Sequence, residues 1–128
     1  MANIDLNGRR ILVVEDEYFL AEDLREELSD CGAQVLGPVA NVKDAIAFIR
    51  TGGIDAAVLD INLQGELVFS TADELRAQGI PFAFATGYDR SSVPQRFADV
   101  PRLEKPLKAR QLAELLQPLV LDKLRSAS

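Results

Sequence analysis

Residues 56 to 65 read AAVLDINLQG, an apolar run from Ala56 to Leu59 that stops on Asp60 and passes into a turn at Gln64 and Gly65. A continuous apolar run this short is the pattern of a strand buried on both faces of a parallel sheet. A carboxylate is costly to bury at the end of such a strand, so Asp60 calls for a purpose.

Residues 11 to 14, ILVV, form a second run of this kind, and it too ends in acid, at Glu15, Asp16 and Glu17. From Phe19 onward, Leu20, Leu24 and Leu28 recur every four residues among Glu22, Asp23, Arg25, Glu26 and Glu27, with Gly32 as a stop. That spacing predicts an amphipathic helix. AQVLGPV, from 33 to 39, predicts a further strand, and Asn41 caps a helix whose stripe is Val42, Ala45, Ile46 and Ile49, ending at Gly52 and Gly53. After the AAVLD strand, STADELRAQG from 70 to 79 predicts a helix and PFAFAT from 81 to 86 a strand. Pro94 and Pro101 leave room for only a short helix around Val93 to Ala98 before a brief strand near Arg102 to Glu104. Leu112, Leu115, Leu116 and Leu119 mark a closing helix.

Five strands alternating with five helices predict a doubly wound α/β fold, with one five-stranded parallel sheet and helices on both faces. The length of 128 residues predicts a single domain over 1–128. In such sheets function sits at the carboxyl ends of the strands, where the strand order reverses.

Composition narrows the chemistry. With 14 Lys and Arg against 20 Asp and Glu, the net charge of −6 disfavours nucleic acid as a direct partner. The chain has no histidine and one cysteine, Cys31, so neither a zinc site nor an internal disulfide is expected. The start, MANIDLNGRR, lacks the apolar core of a signal peptide, and no apolar run approaches the roughly 20 residues that span a bilayer. The expectation is a soluble, cytoplasmic protein with no membrane partner.

The strand-end residues are Glu15 and Asp16, Asp60 and Thr86, with Lys105 after the fifth strand, and all five are expected to meet. Three crowded carboxylates repel one another and weaken the fold unless a cation neutralises them. Oxygen ligands alone select a hard cation, and Mg²⁺ fits best because it needs only one or two carboxylates and keeps waters that a phosphate can displace. Asn62 would place a backbone carbonyl near the same ion. The Lys105 charge and the Thr86 hydroxyl suit phosphoryl oxygens, so the set is suited to phosphoryl transfer onto a carboxylate.

The segments ILVVEDE, AAVLDINL, FAFATG and LEKPL, in this order and spacing, resemble the receiver domain of bacterial two-component response regulators. The segment FATGY, 84 to 88, is also similar to that of a subgroup of single-domain receivers. The resemblance implies a flavodoxin-like sheet and a phosphorelay protein. Its phosphoacceptor would be Asp60, taking a phosphoryl group from a sensor kinase histidine, and phosphorylation would change partner binding. It implies that Glu15 and Asp16 hold Mg²⁺, with Asp16 the direct ligand, that Thr86 and Lys105 bind the phosphoryl group, and that Pro106 follows a cis peptide bond. Partners would be the kinase and a histidine phosphotransfer or other downstream protein. The position three before the lysine, an aromatic switch in the family, is Arg102, so the relay is expected to run through residues 87 to 104 with Tyr88 as its packing anchor.

Two other readings compete: a pseudo-receiver that binds partners without phosphorylation, and a Mg²⁺-dependent phosphatase with Asp60 as nucleophile. The complete acidic, Asp, Thr and Lys set argues against the first, and Asn rather than Asp at position 62 argues against the second. The chain is expected to be a signalling domain that assists its own phosphoryl transfer and dephosphorylation, not an enzyme.

Overall fold

A computed structural model of the protein describes residues 6–63, 65–86, 93–104, 111 and 114–118. The chain runs β1 (Arg10–Val14), α1 (Tyr18–Asp30), β2 (Gln34–Val39), α2 (Val42–Thr51), β3 (Ala56–Asp60), β4 (Asn62–Leu63), β5 (Glu66–Leu67), α3 (Phe69–Ala77), β6 (Phe82–Thr86) and β7 (Arg102–Glu104). Five strands form one parallel sheet in the order β2-β1-β3-β6-β7. The doubly wound, flavodoxin-like architecture follows from this order, because the chain moves outward from β1 to β2 and then returns to place β3 on the other side of β1.

Alternation along the strands sends side chains to two cores. Leu12, Val14, Ala57, Leu59, Phe82 and Phe84 pack on the side of Val42, Ala45 and Ile49 of α2 and Ala72 and Leu75 of α3. Ile11, Val13, Ala56 and Val58 pack on the opposite side, with Leu24 and Leu28 of α1 and with Leu116 from the helical residues 114 to 118. Ile11–Val14 of β1 and Ala56–Leu59 of β3 are therefore unbroken apolar runs up to their acidic ends.

Three local features depart from the expectations. The segment after Asp60 is not a plain turn but the antiparallel hairpin β4–β5, held by Leu63↔Glu66 and Asn62↔Leu67, with the Gly65 N–H donating to Asn62 Oδ1 at 2.8 Å. The helix expected around Val93 to Ala98 is a single 3₁₀ turn at Gln95–Phe97, where the Phe97 N–H donates to the Pro94 carbonyl at 2.9 Å. Pro101 stops that turn from lengthening, since the residue before a proline is driven away from helical geometry. Helix α3 begins at Phe69, one residue before the expected start, on Val68 and without a side-chain cap. A cis peptide bond joins Gly37 to Pro38 in β2. Among the described residues no helix is long and apolar enough to cross a membrane.

Candidate functional site

Register places the acidic residues together. Val14 of β1 pairs with Leu59 of β3, so Glu15 continues past the strand at the level of Asp60. One carboxylate oxygen each from Glu15, Asp16 and Asp60 lies within 4.8 Å of the others. The site is at the carboxyl ends of β1 and β3, the two strands between which the sheet order reverses.

Burial divides the three. Glu15 is 3% exposed and Asp60 6%, whereas Asp16 is half-buried. Backbone donors fix the two buried ones: Glu15 Oε1 accepts from the Glu17 N–H at 3.1 Å, and Asp60 Oδ1 accepts from the Asn62 N–H at 3.3 Å. Glu15 is also tied to the edge of the sheet, since its N–H donates to the Val39 carbonyl at 3.0 Å.

Glu17 does different work from its neighbours. Its carboxylate accepts from the Leu20 N–H at 2.7 Å and so caps α1, where negative charge also complements the positive end of the helix dipole. The run Glu15, Asp16, Glu17 thus splits into two cluster members and one cap, which the sequence presents only as a block.

On the other side, Asp60 pairs with Ala85 and the backbone of Thr86 ends β6 one residue further, opposite Glu104 of β7. Asn62 starts the hairpin with its side chain exposed and its Oδ1 bound to Gly65. Arg102 is exposed on β7, paired in register with Phe84. Tyr88, Lys105 and Pro106 lie outside the described residues.

Every donor gathered in the cluster is a carboxylate oxygen. Such a set fits a hard divalent cation such as Mg²⁺ and suits zinc or copper poorly. Beside it, at the start of α1, Tyr18 and Phe19 stand 69% and 75% exposed, with ring centroids 5.4 Å apart. Two neighbouring exposed aromatics next to a polar cluster are a candidate contact for another protein.

Comparison with known proteins agrees with this geometry. The response regulator receiver domain model matches residues 11–117. An uncharacterized response regulatory protein of Yersinia pestis is 31% identical over 117 residues, covering 88% of this chain and 49% of that protein. The chain spans about half the length of the curated relatives it matches. Among solved structures, SdrG from Sphingomonas melonis Fr1 is 40% identical with a TM-score of 0.78, covering 94% of this chain and 99% of its own. The BeF3-activated conformation of SdrG, from Pseudomonas melonis Fr1, is 40% identical with a TM-score of 0.73, covering 90% and 98%. Receiver domains are signalling domains of two-component systems and act through partner proteins, histidine kinases among them. With its sheet order, its strand-end carboxylates and a match over most of its length, this chain belongs to the response regulator receiver domain family.

Proposed function

We infer that this chain is a phosphoacceptor receiver, in which Asp60 takes a phosphoryl group from a sensor kinase histidine and the resulting state alters partner binding. The observation that carries the reading is the convergence of Glu15, Asp16 and Asp60 within 4.8 Å where the strand order reverses. An Asp60 oxygen would attack the phosphorus of a phosphohistidine; a P–O bond forms, the P–N bond breaks, and the imidazole departs with the electron pair. The Asn62 N–H on Asp60 Oδ1 orients the carboxylate for that attack.

Glu15, Asp16 and Asp60, with the Asn62 carbonyl, would hold Mg²⁺, which when bound supplies positive charge against both the crowded carboxylates and the phosphoryl oxygens. Family resemblance assigns Thr86 and Lys105 to the phosphoryl oxygens and Pro106 to a cis peptide after the lysine. SdrG, 40% identical, has a BeF3-activated conformation, and trifluoroberyllate imitates a phosphoryl group on a carboxylate. The same reading makes residues 1–128 a single cytoplasmic receiver domain, not an enzyme. Its partners would be a sensor kinase and a histidine phosphotransfer or other downstream protein.

Incubation with acetyl phosphate and Mg²⁺ separates the readings. A lasting label near one equivalent per chain supports the phosphoacceptor. No label favours a pseudo-receiver, and steady phosphate release over many turnovers favours a phosphatase.

The metal has its own test. At ten times its Kd, Mg²⁺ is expected to stabilise the wild type by about 1.4 kcal/mol, through binding to the folded state alone. Asp16→Ala is expected to abolish that gain in thermal melts. An unchanged wild-type melting temperature across millimolar Mg²⁺ would count against the site.

Kinase docking is assigned to Phe19 and its neighbour Tyr18, the exposed aromatics beside the acidic cluster. Phe19→Ala should slow transfer from the cognate kinase about tenfold, the scale of an aromatic anchor at an interface. Labelling by acetyl phosphate should stay at the wild-type rate. Normal transfer from the kinase would place docking elsewhere.

A further inference from the structure

Position 102, where the family carries an aromatic switch, is an exposed arginine, and the largest aromatic assembly of the described residues lies nearby instead. Phe97, in the 3₁₀ turn, is fully buried. Its ring is stacked on Phe69 at 5.9 Å and meets Phe84 edge-on at 5.8 Å and Phe82 at 6.1 Å. Phe69 opens α3, and Phe84 lies on β6 two residues before Thr86. Phe97 therefore rests on β6, which ends beside the acidic cluster, and on α3, which begins beyond it.

Two arginines lie near this ring, each held by an aspartate. The guanidinium carbons of Arg76 and Arg96 lie 5.2 and 4.6 Å from the Phe97 centroid. Arg76, on α3, binds both oxygens of Asp99 at 3.0 and 3.2 Å and also donates to the Arg96 carbonyl. Arg96 returns the bond, reaching both oxygens of Asp73 on α3 at 3.0 Å each. Each element thus gives one arginine and one aspartate, and the two ion pairs run in opposite senses. The Arg76 hydrogen bond holds the Asp99 carboxyl below its usual range, and the Asp73 hydrogen bond raises Arg96.

Two guanidinium groups this close to one ring repel each other, and the carboxylates of Asp73 and Asp99 offset that repulsion. Exposed pairs of this kind are individually weak, yet one bidentate pair, Arg96–Asp73, and a second pair running the other way fix one orientation between the segments they join. A device with these properties opens as a unit under a modest free-energy input.

We propose that the crossed pairs Arg76–Asp99 and Arg96–Asp73, closed over Phe97, form a latch that phosphorylation of Asp60 opens, freeing the 93–104 segment in place of an aromatic switch at 102. The proposal rests on the phosphoacceptor reading. Strain applied at the end of β6 reaches Phe97 through Phe84, and the segment carrying Phe97 then parts from α3. Asp73, Arg76, Arg96 and Asp99 are positioning residues that touch no reacting atom.

The test is hydrogen exchange of the Phe97, Ala98 and Val100 amides in the full chain with Mg²⁺, with and without trifluoroberyllate, while ¹⁹F resonances report bound fluoride. In the wild type, bound trifluoroberyllate should speed exchange at these amides by about tenfold. The Asp73→Asn/Asp99→Asn variant should exchange at the faster rate without it and respond little further, with the β1 and β3 amides still protected. The charge exchange Asp73→Arg with Arg96→Asp should restore slow exchange. A bound ¹⁹F signal with unchanged wild-type exchange would overturn the latch and leave the phosphoacceptor reading standing. Slow exchange in the double variant would also overturn the latch. Absence of any bound ¹⁹F signal would overturn both.

Discussion

Asp60→Asn is expected to accept no phosphoryl group from acetyl phosphate or from a kinase, and to be at least as stable as the wild type without Mg²⁺. An amide oxygen is too poor a nucleophile to make the acyl phosphate, so the loss should be complete. Folding should survive because the substitution keeps size and shape, and the amide carbonyl can still accept the Asn62 N–H. Each carboxylate pair in the cluster, at separations up to 4.8 Å, repels by roughly 1 to 3.5 kcal/mol between the limits of bulk water and a protein surface. Removing one charge from three relieves two such pairs. Urea unfolding in a chelator checks the stability, and intact mass checks the label. Phosphate retained by the Asn variant would mean that another residue is the acceptor.

Phe97→Ala should be the most disruptive single change on the 93–104 segment, costing about 3 to 5 kcal/mol in urea unfolding. The ring is fully buried among Phe69, Phe82 and Phe84, so truncation leaves a cavity lined by rigid aromatics that collapse poorly. The arginines near it also lose an aromatic partner. A change below about 1 kcal/mol would mean that the segment contributes little to the folded state.

The two predictions draw on parts of the molecule that differ in how plainly the sequence announces them. Strands β1 and β3 are legible because burial on both faces forces an unbroken apolar run, and their acidic ends stand out against it. Asn41 and the stripe of α2 are equally plain, and the cap is found where the sequence puts it, with Asp44 N–H donating to Asn41 Oδ1 at 2.8 Å. The β4–β5 hairpin is not legible, since two-residue strands with Glu66 and Leu67 exposed carry no period. Glu17 is hidden for another reason: a capping carboxylate and a clustered one look alike until the helix start is fixed. The Phe97 assembly joins residues from 69 to 97 that are neighbours only in space, so neither spacing nor composition marks it. Local pattern encodes the sheet and the placement of its acidic ends. Contacts between distant elements, which decide how a state of the site is passed on, do not show in any window of sequence.

The central claim, that Asp60 is the acceptor, is tested most directly by trapping the acyl phosphate. After incubation with acetyl phosphate and Mg²⁺, borohydride reduction converts a phosphorylated aspartate to homoserine, which peptide sequencing by mass spectrometry locates. The account predicts homoserine at position 60, dependent on Mg²⁺. Homoserine at another aspartate, or none at all in a chain that remains folded, would contradict it.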